Sequence, residues 1–164
     1  MITILNTLLL ITAVIYAVLV LYMRRGWSII PTFSEDIPPS RSVSVLIAAR
    51  NEEDNIGRTI DAILDQNFPK DQLELIIVDD HSTDRTADIV RSYAEQGVKL
   101  LQLNVGNTIN SYKKYAIAKA IEMASGEIIV TTDADCRMGR NWLRTVVQYF
   151  DKHDSYMVSS PVVY

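Results

Sequence analysis

The 164-residue sequence is marked first by what it has little of. It has one cysteine, Cys136, so no internal disulfide can form, and the chain fits a reducing compartment. It has no surplus of positive charge. Lys and Arg total 16 against 20 Asp and Glu, a net charge of −4, which argues against a nucleic-acid-binding surface. No internal repeat or low-complexity tract is visible. The third absence is local: Ile2 to Met23 carries no charged side chain.

That stretch raises the hydrophobic fraction to 48% and the mean hydropathy to +0.08, and the remainder reads as an ordinary globular domain able to bury a core. As a helix it extends about 33 Å, enough to cross a hydrocarbon layer of roughly 30 Å. It lacks the basic leader and short apolar core of a cleaved signal, and it is apolar on every face. Residues 1–23 are therefore expected to form a single-pass membrane anchor. Arg24 and Arg25 follow directly, with Tyr22 and Trp27 as interfacial aromatics. The excess of positive charge on that side places the rest of the chain in the cytoplasm, at the cell membrane. Residues 24–42, interrupted by Pro31, Pro38 and Pro39, read as a linker.

From Val43 onward strands and helices alternate. Val43–Ala49, Leu75–Val78, Val98–Leu103 and Glu127–Thr132 read as strands, and Tyr156–Val163 as a further one. Helical spacing links Ile56, Ile60, Ile63 and Leu64, then Ala87, Val90 and Ala94 up to Gly97. It links Ala116, Ile117, Ala120, Ile121 and Ala124 within Tyr112–Ala124, and a last helix is expected over Asn141–Phe150. Asn51 is the expected cap of the first of these helices, and Ser82, Thr83 or Asp84 of the second. Such alternation implies a parallel sheet covered on both faces, with ligands beyond the carboxyl ends of its strands. Asp79-Asp80 and Asp133-Ala134-Asp135 end two of the strands, so four carboxylates meet at one edge.

Asp133 and Asp135 are two residues apart and project to one side of an extended segment, with Ala134 turned away. Two such carboxylates suit a hard divalent cation, Mn²⁺ or Mg²⁺, that shares its oxygen shell with phosphates. Asp79 and Asp80 exceed what one helix cap requires, and a carboxylate there can accept from a nucleobase N–H or ribose hydroxyls. Lys113 and Lys114 open a helix where cations are disfavoured, which a nearby diphosphate would offset, and Arg50 could serve the same anion.

These segments, VSVLIAARNEE (Val43–Glu53), LIIVDDHSTD (Leu75–Asp84) and KKYAIAKAIEMASGEIIVTTDAD (Lys113–Asp135), resemble in order the family 2 glycosyltransferases. The resemblance covers Val43 to Tyr164. It implies an α/β, Rossmann-like GT-A fold, with a mostly parallel sheet flanked by helices behind the transmembrane helix. Residues 43–164 would be the donor-binding domain. Ala48, Arg50 and Glu52 would lie near the nucleotide, and Asp80 would contact the base with Asp79 beside it. Lys113 matches the family's lysine before the third helix, and Asp133 and Asp135 match its metal-binding motif. The partners implied are a UDP- or GDP-sugar donor and a saccharide or lipid-linked acceptor, with inverting transfer. The family's general base falls later than Tyr164, so this chain is expected to bind donor without transferring the sugar. Two other readings stay open. A non-catalytic membrane subunit could keep the fold. A sugar nucleotidyltransferase would want a Gly-rich basic loop where Ala48–Glu53 is acidic.

Overall fold

The computed structural model describes residues 2–30, 33, 38–103, 112–153 and 155–159, and it divides into two units, 1–34 and 35–164.

The first unit is one helix, α1 (Ile2–Ile29). Residues Thr3–Ile29 have a mean hydropathy of 2.6 over their most apolar window, long and apolar enough to cross a membrane. Two of its threonine hydroxyls are satisfied within the helix, Thr7 donating to the Thr3 carbonyl and Thr12 to that of Leu8, both at 2.9 Å. A lipid-facing hydroxyl requires such a bond. The helix runs six residues beyond the expected anchor boundary at Met23, through Gly26 and Trp27. Pro31 explains the stop, because a proline disfavours helical backbone in the residue before it.

The second unit is a three-layer α/β domain. Its elements are β1 (Val43–Ala49), α2 (Ile56–Leu64), β2 (Leu73–Asp79), α3 (Thr86–Arg91), β3 (Lys99–Gln102), α4 (Tyr112–Met123), β4 (Ile128–Asp133) and α5 (Trp142–His153). All strand pairs are parallel, in the order β3-β2-β1-β4. Alternation along β1 sorts the core into two layers. Val43, Val45, Ile47 and Ala49 pack with Ile56, Ile60 and Ile63 of α2, Val90 of α3, and Leu143 and Val147 of α5. Leu46, with Ile76 and Val78 of β2, packs on the opposite face against Ala116 and Ala120 of α4. Each fully buried Val, Leu or Ile contributes about 1.5–3 kcal/mol relative to exposure.

The chain steps outward from β1 to β3, and then α4 crosses to the other face so that β4 pairs with the free side of β1. The strand order reverses between β1 and β4, where open α/β sheets form their ligand crevice. The register places Asp133 opposite Ala48 and Asp79 opposite Ala49, so both acidic ends flank the end of β1.

Three expectations are corrected. Asn51 does not cap α2, which starts at Ile56 after a turn closed by Asn55 N–H and Ile56 N–H on the Glu52 carbonyl at 3.0 and 2.9 Å. The helix after β2 is broken: α3 ends at Arg91, and a short 3-10 turn, Ala94–Gln96, leads to Gly97. The cap residue of that turn needs φ +85°, which glycine adopts without steric cost. Residues 156–159 are not a strand, since no described strand pairs with them, and Tyr156 and Met157 are exposed. The remainder of that expected strand, 160–163, lies outside the described residues.

Candidate active site at the carboxyl edge of the sheet

The loops after β1 and β2 are bound to each other. The Asn51 amide N–H donates to Ser82 Oγ (2.9 Å), and Asn51 Oδ1 accepts from the Thr83 N–H (2.8 Å). Glu52 N–H donates to Thr86 Oγ1 (2.8 Å), and Glu53 N–H to Asp84 Oδ2 (3.1 Å). Arg85 N–H returns a bond to Glu53 Oε2 at 3.0 Å. Asp84 Oδ1 accepts from the Thr86 amide (2.9 Å) and hydroxyl (2.6 Å), which makes Asp84 the residue that satisfies the start of α3. Partial burial pushes its carboxyl up, but the bonds from Thr86 and the Glu53 amide outweigh this and hold it below the ordinary carboxylate value. Asn51 and His81 have φ of +55° and +58°, so each loop turns on a left-handed non-glycine residue at the strand end.

Within this frame the two acids after β2 separate by role. Asp79 is buried, and both carboxylate oxygens are used: Oδ1 accepts from Ser82 N–H and Oδ2 from Gln102 Nε2, each at 3.1 Å. It ties the turn to β3. Asp80, also buried, anchors through its backbone, its N–H donating to the Ala49 carbonyl at 2.8 Å. Its Oδ1 lies 2.9 Å from Nδ1 of His81. Ala48 is partly exposed beside Asp133, and Arg50 is exposed at the end of β1. Glu52 accepts from Asn55 Nδ2 at 3.1 Å, so its carboxylate braces its own turn.

On the other side of β1 the acidic turn after β4 is held from behind. Thr59 of α2, 2% exposed, donates to the Ala134 carbonyl at 2.6 Å and reaches the Cys136 carbonyl at 3.3 Å. Ala134 is buried at 3%, while Asp133 and Asp135 are exposed. The segment is not extended as expected but turns after Asp133, where the Cys136 N–H donates to the Asp133 carbonyl at 3.4 Å. Lys113, at the start of α4, places Nζ 2.5 Å from Asp133 Oδ1. The side chain of Asp135 has no hydrogen-bond or ion-pair partner among the described residues. Sequence reasoning does not single out Thr59. Its one signal is a polar residue beside Ile60 within the apolar stripe of α2.

The donor set fits a divalent cation of the Mn²⁺ or Mg²⁺ type. Asp133 and Asp135 are two exposed hard carboxylates, two residues apart on a turn braced by Thr59. Among the described residues no group of three or more His, Cys, Asp or Glu is placed to hold a metal ion, and an ion held by two carboxylates would complete its shell with water and phosphate oxygens. A cavity of about 560 Å³ elsewhere, lined by Phe68, Pro69, Arg140 and Arg144 among others, lies at the carboxyl end of α2, away from these residues.

The chain is similar to known proteins in sequence and in fold. The Glycosyl transferase family 2 profile matches residues 44–164. "Probable glycosyltransferase YdaM" of Bacillus subtilis is 36% identical over 143 residues, which is 79% of this chain and 34% of that protein. The beta-monoglucosyldiacylglycerol synthase of Synechocystis is 34% identical over 68% of this chain and 23% of its own length. A mannosyltransferase from Pyrobaculum calidifontis, solved in complex with GDP-Man and Mn²⁺, superposes with a TM-score of 0.64 at 29% identity, covering 80% of this chain and 39% of that one. The chain thus spans a quarter to two fifths of the length of these relatives.

Proposed function

The chain belongs to glycosyl transferase family 2 and has its GT-A fold, and from that premise we propose that its sheet edge binds a nucleotide-diphosphate sugar together with a divalent cation. The observation that carries the reading is the pairing of Asp79-Asp80 and Asp133/Asp135 on either side of the β1 end, at the point where strand order reverses. Asp80 supplies a hydrogen-bond acceptor to the base, and Asp79 holds the turn that presents it. Ala48, Arg50 and Glu52 line the nucleotide side, with Glu52 acting through its turn. Lys113 faces the diphosphate, and Asp133 and Asp135 hold the cation. When bound, that ion neutralises charge on the diphosphate leaving group.

The activity served is transfer of the sugar, with inversion, to a saccharide or lipid-linked acceptor. Donor binding is this segment's share of it. The carboxylates described at the edge are already committed to the turns, the base or the cation, and a metal-bound carboxylate is a poor proton acceptor. The apolar helix α1 and the lipid product in the name of the Synechocystis relative support a membrane setting. Arg24-Arg25 supports a cytoplasmic domain.

The test is a thermal-shift series on protein recovered from the membrane fraction, with UDP or GDP and with or without Mn²⁺. One of the nucleotides is expected to stabilise the parent in an Mn²⁺-dependent way, and Asp135→Ala is expected to lose that dependence. Equal Mn²⁺ dependence in the variant removes the metal assignment, and recovery of the chain only in the soluble fraction removes the anchor.

A further inference from the structure

Lys113 is the group whose surroundings the donor-binding reading leaves unexplained. It sits at the start of α4, where the helix dipole disfavours a cation. Its Nζ lies 2.5 Å from Asp133 Oδ1, on one of the two carboxylates proposed to hold the ion. Both side chains are open to water, at 65% and 58% exposure, while the Asp135 carboxylate, two residues on, has no partner among the described residues. We propose that Lys113 is a positioning residue that changes partner. In the donor-free protein it neutralises Asp133, and it turns to the diphosphate when a divalent cation takes Asp133 and Asp135. The inference rests on the metal reading above.

The physical argument has three steps. A carboxylate oxygen in contact with an ammonium cannot at the same time take a divalent cation without setting two positive charges against each other. An exposed ion pair is weak, so the exchange is easy in either direction. The four-carbon stem of lysine lets its ammonium move without moving the helix. Lys113 therefore opposes the cation when no anion is present and assists it when a diphosphate is present, so entry of metal and of nucleotide becomes cooperative.

The consequence is a pair of opposite signs. With Mn²⁺ alone, Lys113→Met is expected to bind about two- to fivefold tighter than the parent, the range an exposed ion pair supports. With UDP or GDP and Mn²⁺ together, it is expected to bind roughly tenfold weaker, as when a charged hydrogen bond is lost. Lys113→Arg should restore both values toward the parent. A lysine that only touches the diphosphate would alter the second value and leave the first unchanged. A lysine that only braces the fold would lower the melting temperature and move both in one direction.

The experiment measures Mn²⁺ binding by the loss of its free-ion electron paramagnetic resonance signal, and nucleotide binding by calorimetry. It uses the full chain extracted from membranes, as parent, Lys113→Met, Lys113→Arg and Asp135→Ala. Tighter binding of Mn²⁺ alone with weaker nucleotide binding in Lys113→Met supports the exchange. Unchanged or weaker binding of Mn²⁺ alone in Lys113→Met overturns it, and the metal reading survives if Asp135→Ala abolishes Mn²⁺ binding. Equal Mn²⁺ binding by Asp135→Ala and the parent, or none by any form, overturns the metal reading and the exchange with it.

Discussion

The two ends of one sheet use the same kinds of residue for opposite purposes. At the amino end, Glu74 of β2 takes a bond from Ser44 of β1, from Lys99 of β3 at 2.5 Å and from the Ser125 N–H at 2.8 Å, while the Gly126 N–H donates to Ser44 Oγ at 2.8 Å. All these partners lie within the protein, and the Glu74 side chain is 12% exposed. At the carboxyl end, the Asp133 side chain is 58% exposed, and its one partner among the described residues is Lys113. A closed network fixes the strands in register, and the exposed carboxylates of Asp133 and Asp135 are those proposed to meet a ligand. Burial and partner count, rather than residue type, separate the Glu74 network from the Asp133 carboxylate.

The comparison breaks most visibly at Gly126. An alanine there would drive its Cβ to 2.6 Å from the Val43 carbonyl carbon and closer still to the Ser44 nitrogen, both backbone atoms that cannot swing aside. Gly126→Ala is expected to destabilise the domain by about 3 kcal/mol or more. Chemical denaturation measures it, and a loss below about 1 kcal/mol would mean the amino end is less closed than described.

A second break uses pH. Burial alone would raise the Glu74 carboxyl, but bonds from Lys99, Ser44 and Ser125 override it and hold the group at about 2 rather than 4.5. The folded-state value is depressed, so the stabilisation is complete above about pH 4.5 and is lost as pH falls toward 2. Because Lys99 is half exposed and solvent screens the pair, the contribution is on the order of 1–2 kcal/mol. Stability measured at pH 6 and pH 3 should differ less in Glu74→Gln than in the parent. An unchanged difference would show that other carboxylates carry the acid sensitivity.

The contrast between the ends also explains what the sequence reveals. The parallel sheet, both helical layers and the position of the four aspartates follow from periodicity and strand ends, because apolar alternation reports directly on burial. The amino-end network does not. Ser44, Glu74 and Lys99 are far apart in the chain and carry no signal individually, and only strand register brings them together. Thr59 and Asn51 escape for the same reason: their bonds, to the Ala134 carbonyl and to the Thr83 N–H, cross between elements that local pattern treats separately. The cap of the first helix is misassigned because Asn51 spends its side chain on a neighbouring loop, an alternative that local spacing cannot weigh.

The smallest expected effect on stability falls at Asp80, and it sharpens the comparison within the carboxyl end itself. Asp79 and Asp80 are adjacent and both buried, yet their bonds differ. Asp79 spends both oxygens on Ser82 and Gln102, so Asp79→Asn removes one acceptor and sets an amide against a donor, at about 1–3 kcal/mol of stability. Asp80 is held chiefly by its N–H on the Ala49 carbonyl, a bond the substitution leaves intact, and its side chain contacts the imidazole of the next residue. Asp80→Asn preserves shape and can still bond His81 Nδ1 after a change of tautomer, so its stability cost is expected to stay below about 1 kcal/mol. Binding should respond in the reverse order. A base N–H donating to a carboxylate makes a charge-assisted bond that an amide replaces with a weaker one, so Asp80→Asn is expected to weaken UDP or GDP binding about tenfold. Calorimetry and denaturation on both variants separate the two properties. If Asp79→Asn weakens nucleotide binding without destabilising the fold, and Asp80→Asn does the opposite, then the roles of the two acids are exchanged. The bonds to Ser82 and Gln102 would then hold a ligand-facing residue in place rather than fix the turn.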